Sequence, residues 1–197
     1  MDVVAHALWA GAGGRALARK VPIATGTLWW MIALAVAPDI VPMLPVLAYA
    51  VVNPRSLQFV LAYVTATPGL EPQLPPWVSS LTHHLHCTMH SVVILAALTS
   101  MLWLLRRRFP IVLLGWWSHE LLDIPTHSAD YYAVTLFYPI SDRAFDGVAW
   151  TEPWFIAINY AALAAVYMWL HETGKQHPAN AQPSSDSSHE QKGHSEE

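Results

Sequence analysis

At 197 residues the chain is long enough for one domain, and 54% of it is hydrophobic against 12% charged, about half the charged share of an ordinary soluble protein. A net charge of −4 without a basic patch argues against nucleic acid as a partner, and a single cysteine, Cys87, excludes both an internal disulfide and a Cys-based zinc motif. Ten Trp, fifteen Pro and several apolar runs approaching the roughly 20 residues of a bilayer span point to an all-α, polytopic membrane bundle of short and broken helices.

Residues 2–19 suit a helix rich in small residues, with His6 near its start and Arg15, Arg19 and Lys20 near its end. Gly11, Gly13 and Gly14 would weaken such a helix in water but permit close helix packing in lipid. No basic segment and small-residue cleavage site mark a cleavable signal peptide. Pro22 breaks the chain. A second apolar run starts at Ile23, and Pro38 is expected to kink or end it, leaving Asp39 at the break. Pro42 and Pro45 predict irregular backbone, and Asn53-Pro54-Arg55 reads as a turn.

Residues 56–66 form a short apolar segment, followed by a Pro-rich loop over 67–76. Residues 81–105 predict one strong helix, opening with several histidines and closing on Arg106, Arg107 and Arg108. Phe109-Pro110 leads into a helix over 111–124 that Pro125 is expected to terminate. Residues 127–150 predict a long aromatic loop, with a turn or small hairpin at Asp146-Gly147. A last span covers 153–171. The membrane domain is therefore read as 1–171, and the polar segment 172–197 as a disordered tail. Placing Arg106 to Arg108 in the cytoplasm puts Arg15, Arg19, Lys20 and Arg55 on the same side. His6, Asp39, the 83–90 histidines, His119 and Asp123 then gather toward the other.

The chemistry concentrates in Gly115–Ser128, GWWSHELLDIPTHS. His119 and Asp123 are four apart and share a helix face. Burying both among Trp, Leu and Ile is costly unless a partner compensates them, and a metal ion is one such partner. His86 and His90 form a second pair with the same spacing. His6 and Asp39 add further ionisable groups in apolar surroundings, where such groups are functional candidates by default. The expected metal ligands are His6, Asp39, His86, His90, His119 and Asp123, with His119 and Asp123 carrying the chemistry. A His/Asp set without Cys suits zinc first, then manganese or iron. The expected reaction is hydrolysis, with a metal-activated water attacking a lipid or another phosphoester or ester near the bilayer surface. Glu120 points about 100° away from His119 on a helix and is a poor co-ligand. Thr88, Ser91 and Thr126 read as capping or back-bonding hydroxyls. Two other readings use the same residues: a transporter or channel with a His/Asp path for protons or metal, and a non-catalytic membrane scaffold.

Four features together resemble the bacterial inner-membrane metal-dependent hydrolases of the YdjM-like group. They are His6 near the start of an apolar helix, the Pro38-Asp39-Ile40 step, the His90-Ser91 step, and the pattern Ser118-His119-x-x-x-Asp123-x-x-Thr126. The segment YPISDRAFDGVAW resembles the loop that follows this pattern in longer relatives. The resemblance runs from residue 6 to about residue 150 and implies a multi-pass inner-membrane protein with a metal site and hydrolase activity. It carries over to His6, Asp39, His90, His119 and Asp123. The chain departs from the group's pattern in three places: Met89 stands directly before the His-Ser step, Leu85 stands between His84 and His86, and Val41 follows Ile40.

Overall fold

Asp2 starts the first helix, its side chain accepting the Ala5 amide at 2.9 Å, and from there the chain is helical almost throughout. The computed structural model describes residues 1–52, 56–67, 70–129 and 132–175. Its helices are α1 (Val3–Ala18), α2 (Thr25–Ile40), α3 (Leu44–Val51), α4 (Ser56–Thr65), α5 (Pro76–Met89), α6 (Val92–Arg106), α7 (Leu114–Thr126) and α8 (Pro153–Lys175). Among the described residues the sole β feature is an isolated bridge between Val134 and Phe145. The Asn53-Pro54-Arg55 turn and residues 176–197 of the tail lie outside the described residues.

Pro38 does not end its helix. It sits inside α2, which continues to Ile40 and passes through a 3-10 turn at Val41–Met43 into α3. One missing N–H near a helix end removes a single ladder bond, and extensive packing of α2 on α1 and α7 holds the segment straight enough to continue. Asp39 therefore stands in the last turn of α2, not at a break. The long helix expected over 81–105 is instead two helices bent by 61° at His90-Ser91. Ser91 takes an extended backbone and caps α6, its Oγ accepting the Ile94 amide at 3.2 Å and donating to the Tyr138 carbonyl at 2.5 Å. A hydroxyl offering the backbone an alternative partner is the ordinary cause of a helix start.

Two further boundaries move. Pro125 lies inside α7, and at the expected Asp146-Gly147 hairpin Phe145 bridges to Val134 instead of across the turn. That segment zips onto the end of α7: Gly147 N–H donates to the His127 carbonyl at 2.7 Å, Val148 to Pro125 at 2.9 Å, and Trp150 to Thr126 at 2.9 Å. Carbonyls that a helix end leaves unpaired are thereby satisfied. A Cβ at Gly147 would lie 2.6 Å from the Pro125 oxygen and 2.8 Å from that of His127. Gly147→Ala must therefore push the loop away from α7, and a loss of about 1–3 kcal/mol is expected; thermal unfolding in detergent checks it. At the C-terminal end α8 continues to Lys175, past the expected end at 171.

Membrane character follows from length and surface. Thr25–Val51 and Pro153–Gly174 are long and apolar enough to cross a bilayer, and α5 with α6 adds a third span if the bent pair is counted as one. Trp29, Trp30, Trp77, Trp103, Trp154 and Trp169 are each more than half exposed, as suits rings facing acyl chains or the interface. α1 and α8 run parallel. Tyr160 donates to Asp2 at one end, Tyr167 to the Leu8 carbonyl in the middle, and Arg19 to Thr173 and the Leu170 carbonyl at the other.

Candidate metal centre

The centre is set by the register of α2 against α7. Gly115 has no side chain, so the α7 backbone rests on Met31; a Cβ there would lie 1.8 Å from the Met31 oxygen. One turn along both helices, His119 Nδ1 meets the Ala35 carbonyl at 2.8 Å. One turn further, Asp39 and Asp123 arrive beside each other. Equal steps of four on two parallel helices thus carry a backbone contact into a functional one. α1 places His6 against the same point, and the α5–α6 break places His90 there.

Asp39, His90, His119 and Asp123 each offer one donor atom, and these atoms all lie within 4.8 Å of one another. His119 Nε2 is 2.9 Å from Asp123 Oδ2 and 3.9 Å from Asp39 Oδ1. His90 Nε2 is 3.6 Å from Asp123 Oδ2 and 3.7 Å from Asp39 Oδ1. His90, His119 and Asp123 are fully buried, whereas the Asp39 side chain is 20% exposed and forms the open edge.

Both histidines are held in the form a ligand needs. A carbonyl can only accept, so His119 Nδ1 donates to Ala35 and His90 Nδ1 donates to the His86 carbonyl at 3.0 Å. In the neutral rings this leaves a lone pair on each Nε2. Those two nitrogens face each other at 3.2 Å. Asp39 Oδ2 and Asp123 Oδ2 are buried and accept no hydrogen bond. Two lone pairs and two under-satisfied carboxylates around one point are costly to bury without a cation, and the donor set suits a divalent metal.

Five of the six residues expected as ligands converge here. His6 stands behind Asp123, its Nε2 2.9 Å from Oδ1 and its ring stacked on His119 with centroids 3.9 Å apart; it is outside the group of four. The sixth, His86, contributes its main-chain carbonyl to His90, while its ring lies beside that of His90 with centroids 4.3 Å apart. Ser91 and Thr126 act as helix hydroxyls, Thr126 Oγ1 donating to the Leu122 carbonyl at 2.9 Å.

Three groups at the site were not selected from the sequence. His127 is buried with Nδ1 3.7 Å from Asp123 Oδ2, and burial pushes it down to about 4 although Asp123 pulls it up. The signal was present, since 119, 123 and 127 continue the four-residue step, but ending the helix at Pro125 concealed it. Glu120 is fully buried; its Oε1 accepts the Trp116 indole N–H at 3.2 Å and its Oε2 has no partner. The α-amino group of Met1 lies 2.6 Å from Asp123 Oδ1, which no spacing argument reveals.

The family model described as YdjM inner membrane protein covers residues 1–181. No curated protein matches the chain, and no solved structure does.

Proposed function

The chain belongs to the YdjM inner membrane protein family, and from its clustered His/Asp donors we propose a multi-pass, metal-dependent hydrolase of a lipid or another phosphoester or ester near the bilayer surface. The observation that carries the reading is the pair of Nε2 lone pairs at 3.2 Å, flanked by the carboxylates of Asp39 and Asp123. Asp39, His90, His119 and Asp123 hold the ion, zinc first and manganese or iron next. When bound, such an ion supplies Lewis acidity that lowers the pKa of water and steadies a developing oxyanion. Asp123 lies with Oδ1 2.9 Å from His6 Nε2 and Oδ2 2.9 Å from His119 Nε2, so an ion bound there would draw its carboxylate and the His119 ring together. Asp39, at the exposed edge, lies where substrate meets the centre. Leu95, Leu113 and Trp116 pack beside the site and keep bulk water from that side.

A transport path predicts histidines and aspartates strung along the membrane normal. The donor atoms here lie within 4.8 Å of one another, and that compactness favours a fixed ion over a conduit. The test is metal analysis of detergent-purified full chain, followed by a chelator. About one equivalent of zinc, manganese or iron is expected. Its removal is expected to abolish hydrolysis of phospholipid and ester substrates, and its return to restore it. Metal-free protein prepared without chelators would overturn the reading.

A further inference from the structure

We infer that the far end of α1 and α8 holds a second site, one for a phosphate group carried by an anionic phospholipid or free in solution. A cavity of about 310 Å³ opens there, lined by Arg15, Arg19, Tyr167, Leu170, His171 and Gly174. Arg15 lies nine residues and Arg19 thirteen residues along α1 from His6. At 1.5 Å per residue these positions are about 14 and about 20 Å away, so the cavity is separate from the metal centre.

The two guanidinium groups are held on aromatic rings and, among the described residues, are not neutralised. Arg15 sits over the Tyr167 ring with 5.5 Å to its centroid, and Arg19 over Trp169 with 5.6 Å. Arg19 spends donors on Thr173 Oγ1 and the Leu170 carbonyl, which ties α1 to α8 and fixes its fork. Among the described residues neither arginine is paired with a carboxylate, and the exposed Glu172 on α8 is not bound to either. Five N–H donors per guanidinium match phosphate oxygens two at a time. Rings that pre-orient those donors reduce the ordering cost of binding. Gly174 contributes no side chain to the cavity floor; a Cβ there would lie 3.5 Å from the Arg19 guanidinium.

Position supplies the source of the anion. The cavity is at the end of Pro153–Gly174, a helix long and apolar enough to span, and therefore at headgroup depth. Arginines that have no carboxylate partner among the described residues suit, at such an end, the anionic cytoplasmic leaflet. The volume exceeds that of a bare phosphate and leaves room for a glycerol-sized headgroup.

The experiment uses the full chain in detergent and three probes: dihexanoyl-phosphatidylglycerol, dihexanoyl-phosphatidylcholine and inorganic phosphate. Adducts are counted by native mass spectrometry and stabilisation by the shift in thermal midpoint. Phosphatidylglycerol is expected to bind, and Arg15→Gln with Arg19→Gln to weaken it roughly tenfold or more, while Arg107→Gln with Arg108→Gln leaves it unchanged. Arg15→Gln alone keeps the Arg19 ties to α8 and serves if the double variant fails to fold; a drop of several-fold is expected. Inorganic phosphate binding with the same arginine dependence would assign the site to a free anion. Equal binding of phosphatidylcholine, or loss with the Arg107/Arg108 pair as large as with Arg15/Arg19, overturns the proposal.

Discussion

Replacing Asp123 with asparagine is expected to strip the proposed metal from the purified protein and abolish the proposed hydrolysis while the chain remains in the membrane. The side chain is fully buried, and both of its oxygens face histidine nitrogens: Oδ1 faces His6 at 2.9 Å, and Oδ2 faces His119 at 2.9 Å and His90 at 3.6 Å. An amide of the same shape exchanges one of these acceptors for a donor and removes the negative charge. Removing a partner one layer behind a metal costs about 10–100-fold in affinity, so removing a ligand is expected to cost more. Elemental mass spectrometry of Asp123→Asn beside wild type and His86→Ala separates the assignments. His86→Ala keeps the main-chain carbonyl that holds His90 and is expected to retain its metal. Full occupancy in Asp123→Asn would remove Asp123 from the ligand set.

Gly115→Val is expected to be the most damaging substitution that touches no candidate ligand. The new Cβ would start 1.8 Å from the Met31 oxygen and 2.7 Å from its carbonyl carbon. Backbone cannot rotate aside as a side chain can, so α7 must lift off α2. Overpacking in a tight interface costs about 1–3 kcal/mol and occasionally more, and a backbone collision belongs at or above the top of that range. Because His119 and Asp123 follow Gly115 on the same face, the shift also opens the metal centre. The expected result is a large fall in thermal midpoint together with loss of bound metal. Gly13→Ala is the control, since a Cβ there meets nothing within 4 Å; alanine in place of an open helical glycine is expected to stabilise by about 0.5–1 kcal/mol. Equal behaviour of the two variants would show that the α2–α7 contact is not what positions the site.

The convergence of His6, Asp39, His90, His119 and Asp123 was legible because costly residues in apolar runs need a shared reason, and spacing by four marks a common face. Helix breaks were less legible. Pro38 and Pro125 looked like stops, yet both lie within helices, because each stands in the last turn, where its missing N–H removes only one ladder bond. Ser91 did not look like a stop, yet it begins a helix at a 61° bend. Its capping bond is local, but the bond to Tyr138 that accompanies it crosses 47 residues of sequence. His127 was hidden by the Pro125 reading. Glu120 shares the Trp116 indole N–H with the Met89 carbonyl of α5, a contact that periodicity on one helix does not encode.

The segments that meet at Asp123 are far apart in the chain: the start of α1, the end of α2, the α5–α6 bend and the last turns of α7. In a bilayer the surrounding acyl chains are as apolar as the helix faces, so greasy contact gives these segments little reason to find one another. An ion seated among them would act as a fastener, because its binding energy would be available only after the last helix has docked. Occupancy would then double as a record of correct assembly: a chain with one helix misplaced lacks the complete set of donors and could not be mistaken for a finished one.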